Sequence, residues 1–506
     1  MSAESRRARR TGLRNTFSRR GYYGRRLAEH RAVFLWSALL ALLCTLITYP
    51  GIWYSDSYVR VETGGAVLNA MVKTLTGHRA PLETGNAFTL IPSFFMALSR
   101  GLTGHVALYT FGQAFAFFAA VFLLIRELNP RRPGLQRILF AVCPVVYGMS
   151  VYYEAGVGCV TGLAALMLLF RRAGDPKEAG DRALELLLVA LSSFVTFGYR
   201  TNALTVVPVL AFFLIRAGAE RRRKALMLAS LVLGLAMTKA VPWLFDVHSL
   251  STASAGIVWE MIMTIQRMAP EDREKYADFL DEIGGEGSTR AALEITTDNS
   301  AGTFMWGQDL GIEKMSAPGA TGTALRKYAQ LMAERPGDFF AVKADVILRS
   351  LGLRGELDLS EYSYNRWDQM QEYGMTDSLQ RRAFYNSVVR TFRVLGFYTL
   401  HPWVPFLGSA GLLAAEALRR RKRGKSGERG DAAFALTFWM AAFYYLAYLL
   451  DTPAYDFRYF YPSLLLLAAM DFAVVQNWIC ALLPPRGKAG GKGAGHAAAG
   501  HHSGVQ

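Results

Sequence analysis

Apolar blocks of roughly 15–20 residues recur about ten times along this chain of 506 residues, separated by charged or Gly/Pro-containing breaks. A helix needs about 20 mostly apolar residues to cross a bilayer, and roughly 17 can suffice. A soluble chain of this length could bury a composition that is 52% hydrophobic in one large core, so the fraction by itself decides nothing. The repeated blocks do decide it, and they predict an all-α, polytopic transmembrane helical bundle of about ten spans. The formal net charge of +16 would point to nucleic acid in a soluble protein. Here the Arg and Lys residues flank the apolar blocks, as membrane orientation requires, and no nucleic-acid partner is expected. Cys44, Cys143, Cys159 and Cys480 sit in apolar stretches or at their ends without metal-ligand spacing, and read as small buried hydrophobes.

Residues 1–31 carry ten Arg against two Glu and form a basic cytoplasmic arm, attracted to anionic lipid headgroups. The arm is too long and basic for a signal-peptide leader, so the first apolar block is read as a retained span. An N-terminal transmembrane module, 32–244, places spans near 32–50, 106–125, 138–152, 156–170, 183–199, 203–215 and 225–244. Within it, the loop 51–105 holds an amphipathic stretch, Val67 to Leu75, and an apolar piece, Phe88 to Leu98, both expected to lie on the outer surface. Residues 245–387 carry 14 Arg/Lys against 22 Asp/Glu and form an acidic, mainly helical extracytoplasmic region. Thr323 to Glu334 and Asp338 to Leu351 read as helices there, and the Gly-rich DEIGGEGSTR as a loop. The C-terminal module, 388–480, holds spans near 402–418, 433–450 and 460–480. Residues 481–506 are a low-complexity tail expected to be disordered and cytoplasmic. One orientation fits every loop: both termini and the basic loops at 126–137, 171–182, 216–224 and 419–429 face the cytoplasm, and the protein lies in the cell membrane.

That orientation gathers four polar turns on the outer face. They carry Asp56, Arg60 and Glu62, then Glu154, then Arg200 and Asn202, and last Asp451, Asp456, Arg458 and Tyr459. Charged groups at the hydrocarbon boundary are expensive unless paired or solvated, so a shared polar cleft is expected. Its carboxylates can act as general base toward a hydroxyl, and Asp56 and Glu154 can hold a divalent cation such as Mg or Mn. Its arginines can clamp a phosphate, with pairing to Glu154 or Asp56 as the alternative for Arg200. Asp56 is the first choice for base, with N-cap or turn residue as the alternative. Trp53, Tyr54 and Tyr58 around it are interfacial anchors or a stacking surface for a sugar. Asn202 is a candidate cap for the next helix, and Arg458 either pairs with Asp456 or faces a phosphate. No P-loop, HExxH, GxSxG or nucleotide fingerprint is present, and no nucleotide cofactor is expected.

The stretch PGIWYSDSYVR after the first span, the apolar surface piece before the second, and the late Arg458, Tyr459, Pro462 turn resemble the polytopic glycosyltransferases of the GT-C class. The resemblance covers about residues 32–475, through short motifs in a shared order. It implies a GT-C-like fold with Asp56 at the place of the catalytic aspartate and Glu154 as the second acid of the outer turn. Arg200 and Asn202 match an Arg/Asn pair after span 5. Two departures stand out: Ser57 follows Asp56 where an acidic pair is usual, and the second acid is Glu. The implied reaction is inverting transfer from a polyprenyl-phosphate-linked sugar to a hydroxyl of a glycan, lipid-linked sugar or protein. Arg200, Arg458 and Tyr459 would serve the donor phosphate, with Trp53, Tyr58, Arg60, Glu62, Asn202 and Asp456 in support. The alternatives are a transporter or lipid-linked-glycan flippase, or a non-catalytic membrane assembly protein. Against a transporter stands the absence of an inverted repeat and the placement of acids at span ends.

Overall fold

The computed structural model describes residues 22–49, 51, 55–78, 82–84, 90–128, 133–152, 154–175, 177–249, 254–295, 301, 310–359, 378–422, 429–452 and 454–482. In chain order the longer helices are α1 (Tyr22–Ile47), α2 (Ser55–Leu75), α3 (Leu90–Thr103), α4 (Ala107–Leu128), α5 (Pro133–Val142), α6 (Pro144–Tyr152), α7 (Glu154–Arg171), α8 (Ala179–Tyr199), α9 (Val207–Arg216) and α10 (Arg221–Leu244). They continue as α11 (Ala255–Arg267), α12 (Ala320–Glu334), α13 (Pro336–Ser350), α14 (Leu379–Val394), α15 (Trp403–Lys422), α16 (Arg429–Leu450) and α17 (Phe457–Leu482).

Six of these are long and apolar enough to cross a membrane: Leu27–Ile47, Ala107–Leu128, Ala179–Tyr199, Arg221–Leu244, Ala432–Leu450 and Phe457–Ala481. The protein is thus a helical multi-pass membrane protein. α6 and α7 pass the same test only as a pair, bent by 101°. The first span starts about a turn earlier than the apolar block suggests, because Leu27–Ala32 continues the helix although its charges keep it out of hydrocarbon. α5 and α6 stop and restart at Cys143-Pro144, since Pro lacks the N–H that would continue the helix.

The apolar window of α4 is 61% buried and that of α10 only 17%, so α4 runs through the centre of the bundle and α10 along its edge. Lipid, with no hydrophobic gain on helix contact, leaves close backbone approach to small residues. Gly234 of α10 shows this: a Cβ there would lie 2.1 Å from the Ala190 carbonyl oxygen of α8.

Ion pairs identify the two ends of the bundle. At one end Glu127 of α4 pairs with both Arg171 and Arg172 after α7. Glu185 of α8, buried, pairs with Lys177 and with Arg223 of α10, whose guanidinium also donates 3.0 Å to the Asp175 carbonyl. Arg126 donates to the Glu29 carbonyl of α1. These acids neutralise part of the charge in the basic loops, and removing Glu185 would strand buried cations. At the opposite end lie the start of α4, the C-terminal ends of α1, α8 and α16, and the N-terminus of α17. Arg381 ties α14 to this end, donating to the carbonyls of Thr48 (2.8 Å) and Gly51 just past α1.

α2 and α3 pack against each other beside this end, so closely that a Cβ on Gly64 would lie 2.0 Å from the Ser93 carbonyl oxygen. They begin earlier and later, respectively, than the stretches Val67 to Leu75 and Phe88 to Leu98. A parallel ribbon, Leu82–Thr84 with Val247–Ser249, ties the loop after α2 to the loop after α10 in the register Leu82↔Val247. α12 and α13 match the helical periodicity read from the sequence. DEIGGEGSTR is not simply a loop. It forms two helical turns, Asp281–Gly284 and Ser288–Leu293, joined by Gly285 and Gly287 at φ of +92° and +78°. The Asp281 carboxylate accepts from Thr289 N (2.9 Å) and Gly287 N (2.7 Å), and so supplies order that the glycines hide. α14 runs unbroken across residue 387.

Candidate functional site

Arg200 caps the C-terminus of α8 in extended backbone (φ −147°), at the bundle end opposite the Glu127 and Glu185 ion pairs. Arg458 lies in the first turn of α17, where Asp456 acts as the cap: its Oδ1 accepts from Arg458 N at 2.7 Å. Asp456 Oδ2 sits 3.0 Å from Arg458 Nε, and the two side chains are only 5% and 13% exposed. Of the two readings of Arg458, the local pair with Asp456 is therefore formed. The guanidinium also faces the Tyr459 ring, its Cζ 5.4 Å from the centroid. Arg200 approaches the same ring, also at 5.4 Å. Two cations from turns far apart in sequence thus converge on one aromatic ring.

Tyr459 is also held by an aromatic neighbour. Its ring stacks on Tyr448 of α16 at 4.6 Å, and Tyr448 continues to Tyr444 through a 3.4 Å hydroxyl contact. The row FYYLAYLL puts Tyr444 and Tyr448 one helical turn apart on one face. That spacing was visible in the sequence, but nothing in it says that Tyr459 stacks there.

Arg60 is buried in α2, 3% exposed, and acts electrostatically on Tyr199, the residue before Arg200. The Tyr199 hydroxyl lies 3.3 Å from that of Tyr109 at the start of α4, and its ring covers Gly158 of α7 so tightly that a Cβ there would sit 2.2 Å away. Arg60 therefore joins the neighbourhood of Arg200. Glu62 is exposed and does not point inward. Asn202 is not a helix cap: it is the second residue of the 3-10 turn Thr201–Val206, and its Oδ1 accepts weakly from Thr201 at 3.4 Å.

Asp56 is the second residue of α2 and Glu154 the first of α7, both in first turns where peptide dipoles favour a negative group. The side chains of Asp56, Tyr58 and Glu154, and all of Trp53 and Tyr54, lie outside the described residues. Among the described residues no group of three His, Cys, Asp or Glu side chains could hold a metal ion.

Two acidic positions depart from the sequence reading. Asp471 is well inside α17, not at a span end. Its Oδ2 accepts from Ser409 (2.8 Å) and Tyr398 (3.2 Å), while Oδ1 is buried without a partner among the described residues. Asp451, grouped above with the last turn, belongs to a separate cluster. Gly256 of α11 lies against it, Glu260 and Lys343 are its charged neighbours, and Oδ1 has no partner among the described residues. Glu260 accepts from Lys343 Nζ at 2.7 Å and from Tyr328 at 2.5 Å, and Lys343 also donates to the Leu450 carbonyl. The cluster thus joins α11, α12 and α13 to the end of α16.

Burial, then repulsion from Glu260, pushes the Asp451 carboxyl up from 3.8 to about 6 against the opposing pull of Lys343. Folded-state protonation is favoured, so this group's stabilisation is complete below about pH 4 and is lost as pH rises through about 6. That interval is worth at most about 3 kcal/mol. Asp451→Asn is expected to raise the melting temperature at pH 8 and to flatten its slope between pH 4 and 7. A variant with the wild-type slope would show that Asp451 does not govern it.

These helices and this polar end define a polytopic membrane protein with a cationic, aromatic cluster at one bundle end. Compared with family models, curated proteins and solved structures, the chain matches none.

Proposed function

We propose that the protein transfers a sugar from a polyprenyl phosphate to a hydroxyl acceptor at the non-cytoplasmic membrane face, with inversion, on a GT-C-like bundle. The observation that carries the reading is the convergence of Arg200 and Arg458 on Tyr459, at the end of the bundle where α2 and α7 begin with Asp56 and Glu154. Asp56 takes the proton from the acceptor hydroxyl as that oxygen attacks the anomeric carbon. The bond from that carbon to the phosphate oxygen breaks, and the polyprenyl phosphate leaves with the electron pair. Negative charge grows on the phosphate in the transition state, where preorganised guanidinium groups contribute most. A divalent cation between Asp56 and Glu154 would add to this neutralisation, and transfer measured with a chelator reports its share. The test of the whole reading is purified protein with polyprenyl-phosphate sugars and an envelope glycan extract; no labelled product from any donor would overturn it.

Ten crossings belong to the same proposal. Thr201–Arg216 is short for a span, yet six residues of 3-10 helix and ten of α-helix rise about 27 Å. That nearly matches a hydrocarbon core of about 30 Å. Between exposed Glu178 and Glu286 lie three candidate crossings, α8, Thr201–Arg216 and α10. If all three cross, Glu178→Cys and Glu286→Cys will react oppositely with an impermeant thiol reagent in intact cells. Equal reactivity would remove the Thr201–Arg216 crossing.

Asp471 favours a second reading, because an ionisable group inside a span is a common mark of an ion or proton path. Vesicles that move the lipid-linked sugar across the bilayer without acceptor, and fail to do so with Asp471→Asn, would replace the transferase by a transporter.

A further inference from the structure

We propose that the cleft between the end of α13 and the end of α14 binds the saccharide part of the acceptor, as a neutral polyhydroxylated ligand. The proposal rests on the glycosyl-transfer reading for the word acceptor, but not for the binding itself. The cleft has a volume of about 630 Å³, within the range of roughly 300–1,000 Å³ usual for ligand pockets. Its polar lining is Arg349, Arg354 and Arg393 against Glu356 and Asp358.

Charge balance selects the ligand. Asp345 pairs with both Arg349 (2.9 Å) and Arg354 (2.5 Å), and Arg349 also lies over the Tyr455 ring. Three cations therefore meet three carboxylates. A phosphate would be repelled by Glu356 and Asp358, and a cation by the arginines. A sugar hydroxyl donates to a carboxylate and accepts from a guanidinium, so a polyol can satisfy both sets at once. Leu357, Leu359, Leu400 and Gly396 supply apolar lining of the kind that C–H faces of a pyranose cover.

The cleft is also tied to the cationic cluster. Asp358 N donates to the Tyr455 carbonyl at 2.7 Å, and Phe457 N donates to the Asp358 carbonyl at 3.1 Å. Leu357 N is bonded to the Leu400 carbonyl at 3.0 Å. The wall bearing Glu356 and Asp358 is thus pinned to the turn that presents Arg458. Gly352 (φ +72°) makes the necessary bend, and a Cβ there would strike His401 at 2.7 Å. The 455–457 turn, whose Tyr455 lines the cleft, thus connects it to the proposed donor site.

The test uses the full chain in detergent with Leu359→Cys as reporter, and Arg354→Cys as a second reporter should the first fail to fold. Alkylation by a polar maleimide is timed with neutral hexose and pentose disaccharides, and with inorganic phosphate. A binding disaccharide at about twice its Kd is expected to slow labelling about threefold, and phosphate to leave it unchanged. Asp358→Asn in the same background is expected to remove the protection. Labelling unaffected by every saccharide, or slowed by phosphate alone, would overturn the proposal. Protection needs no turnover, so a saccharide effect in a protein without transferase activity would retain the site and discard only its role as acceptor.

Discussion

Asp56→Asn is expected to lower sugar transfer by about 10²–10⁴ while leaving the purified protein folded and monodisperse. Asn keeps the size and the hydrogen-bonding ability of the side chain but cannot accept the hydroxyl proton. As the second residue of α2, Asp56 has a structural alternative, stabilising the helix start, which costs about 1 kcal/mol of stability at most and no chemistry. The two roles separate cleanly. A structural role moves the melting temperature and leaves kcat near wild type. A base lowers kcat in proportion to its ionised fraction, so the wild-type rate should fall as pH drops through the carboxylate range, and Asp56→Glu should recover part of it. Equal turnover by Asp56→Asn removes this residue from the mechanism. Arg381 offers an independent handle on the same turn, because it holds the carbonyls of Thr48 and Gly51 immediately before it.

The second large effect is expected from the arginine pair. Arg458→Ala should cost about 10²–10³ in kcat, the size found when one preorganised transition-state donor is removed. Arg200→Ala should weaken donor use more than acceptor use. Because both guanidinium groups contact the Tyr459 ring, the double variant should lose less than the product of the single losses. Arg458→Lys keeps the charge but not the planar fork, and should recover only part of the rate. Multiplicative losses in the double variant would place the arginines on separate ligands. An unchanged donor KM in Arg200→Ala would remove Arg200 from the donor site. Arg458→Ala also leaves Asp456 as a buried carboxylate without its ion-pair partner, so its melting temperature must be read beside its rate.

Helical class and membrane residence were legible because each follows from local sequence. Block length reports a crossing. The helices α12 and α13 were legible from their apolar period. Local reading failed where contacts rather than residue type decided the outcome. DEIGGEGSTR looked like a loop because its glycines hide the bonds by which Asp281 orders Gly287 and Thr289 in the same stretch. Asn202 looked like a cap because its residue type suits one, but the 3-10 turn begins before it. Asp471 was missed because a single acid in an apolar run leaves the spacing unchanged, and its partners Ser409 and Tyr398 belong to other helices.

By itself the sequence determined that this chain crosses a membrane many times as helices, and which turns share an end. Apolar length and flanking charge are properties of contiguous residues, and lipid responds to them directly. Only the tertiary structure decided that Arg200 and Arg458 meet on Tyr459, that Asp451 belongs with Glu260 and Lys343, and that Glu62 faces away. Those outcomes depend on which helices pack side by side and at what rotation. Close contacts at Gly158, Gly64 and Gly234 set that packing, and no single segment carries the information.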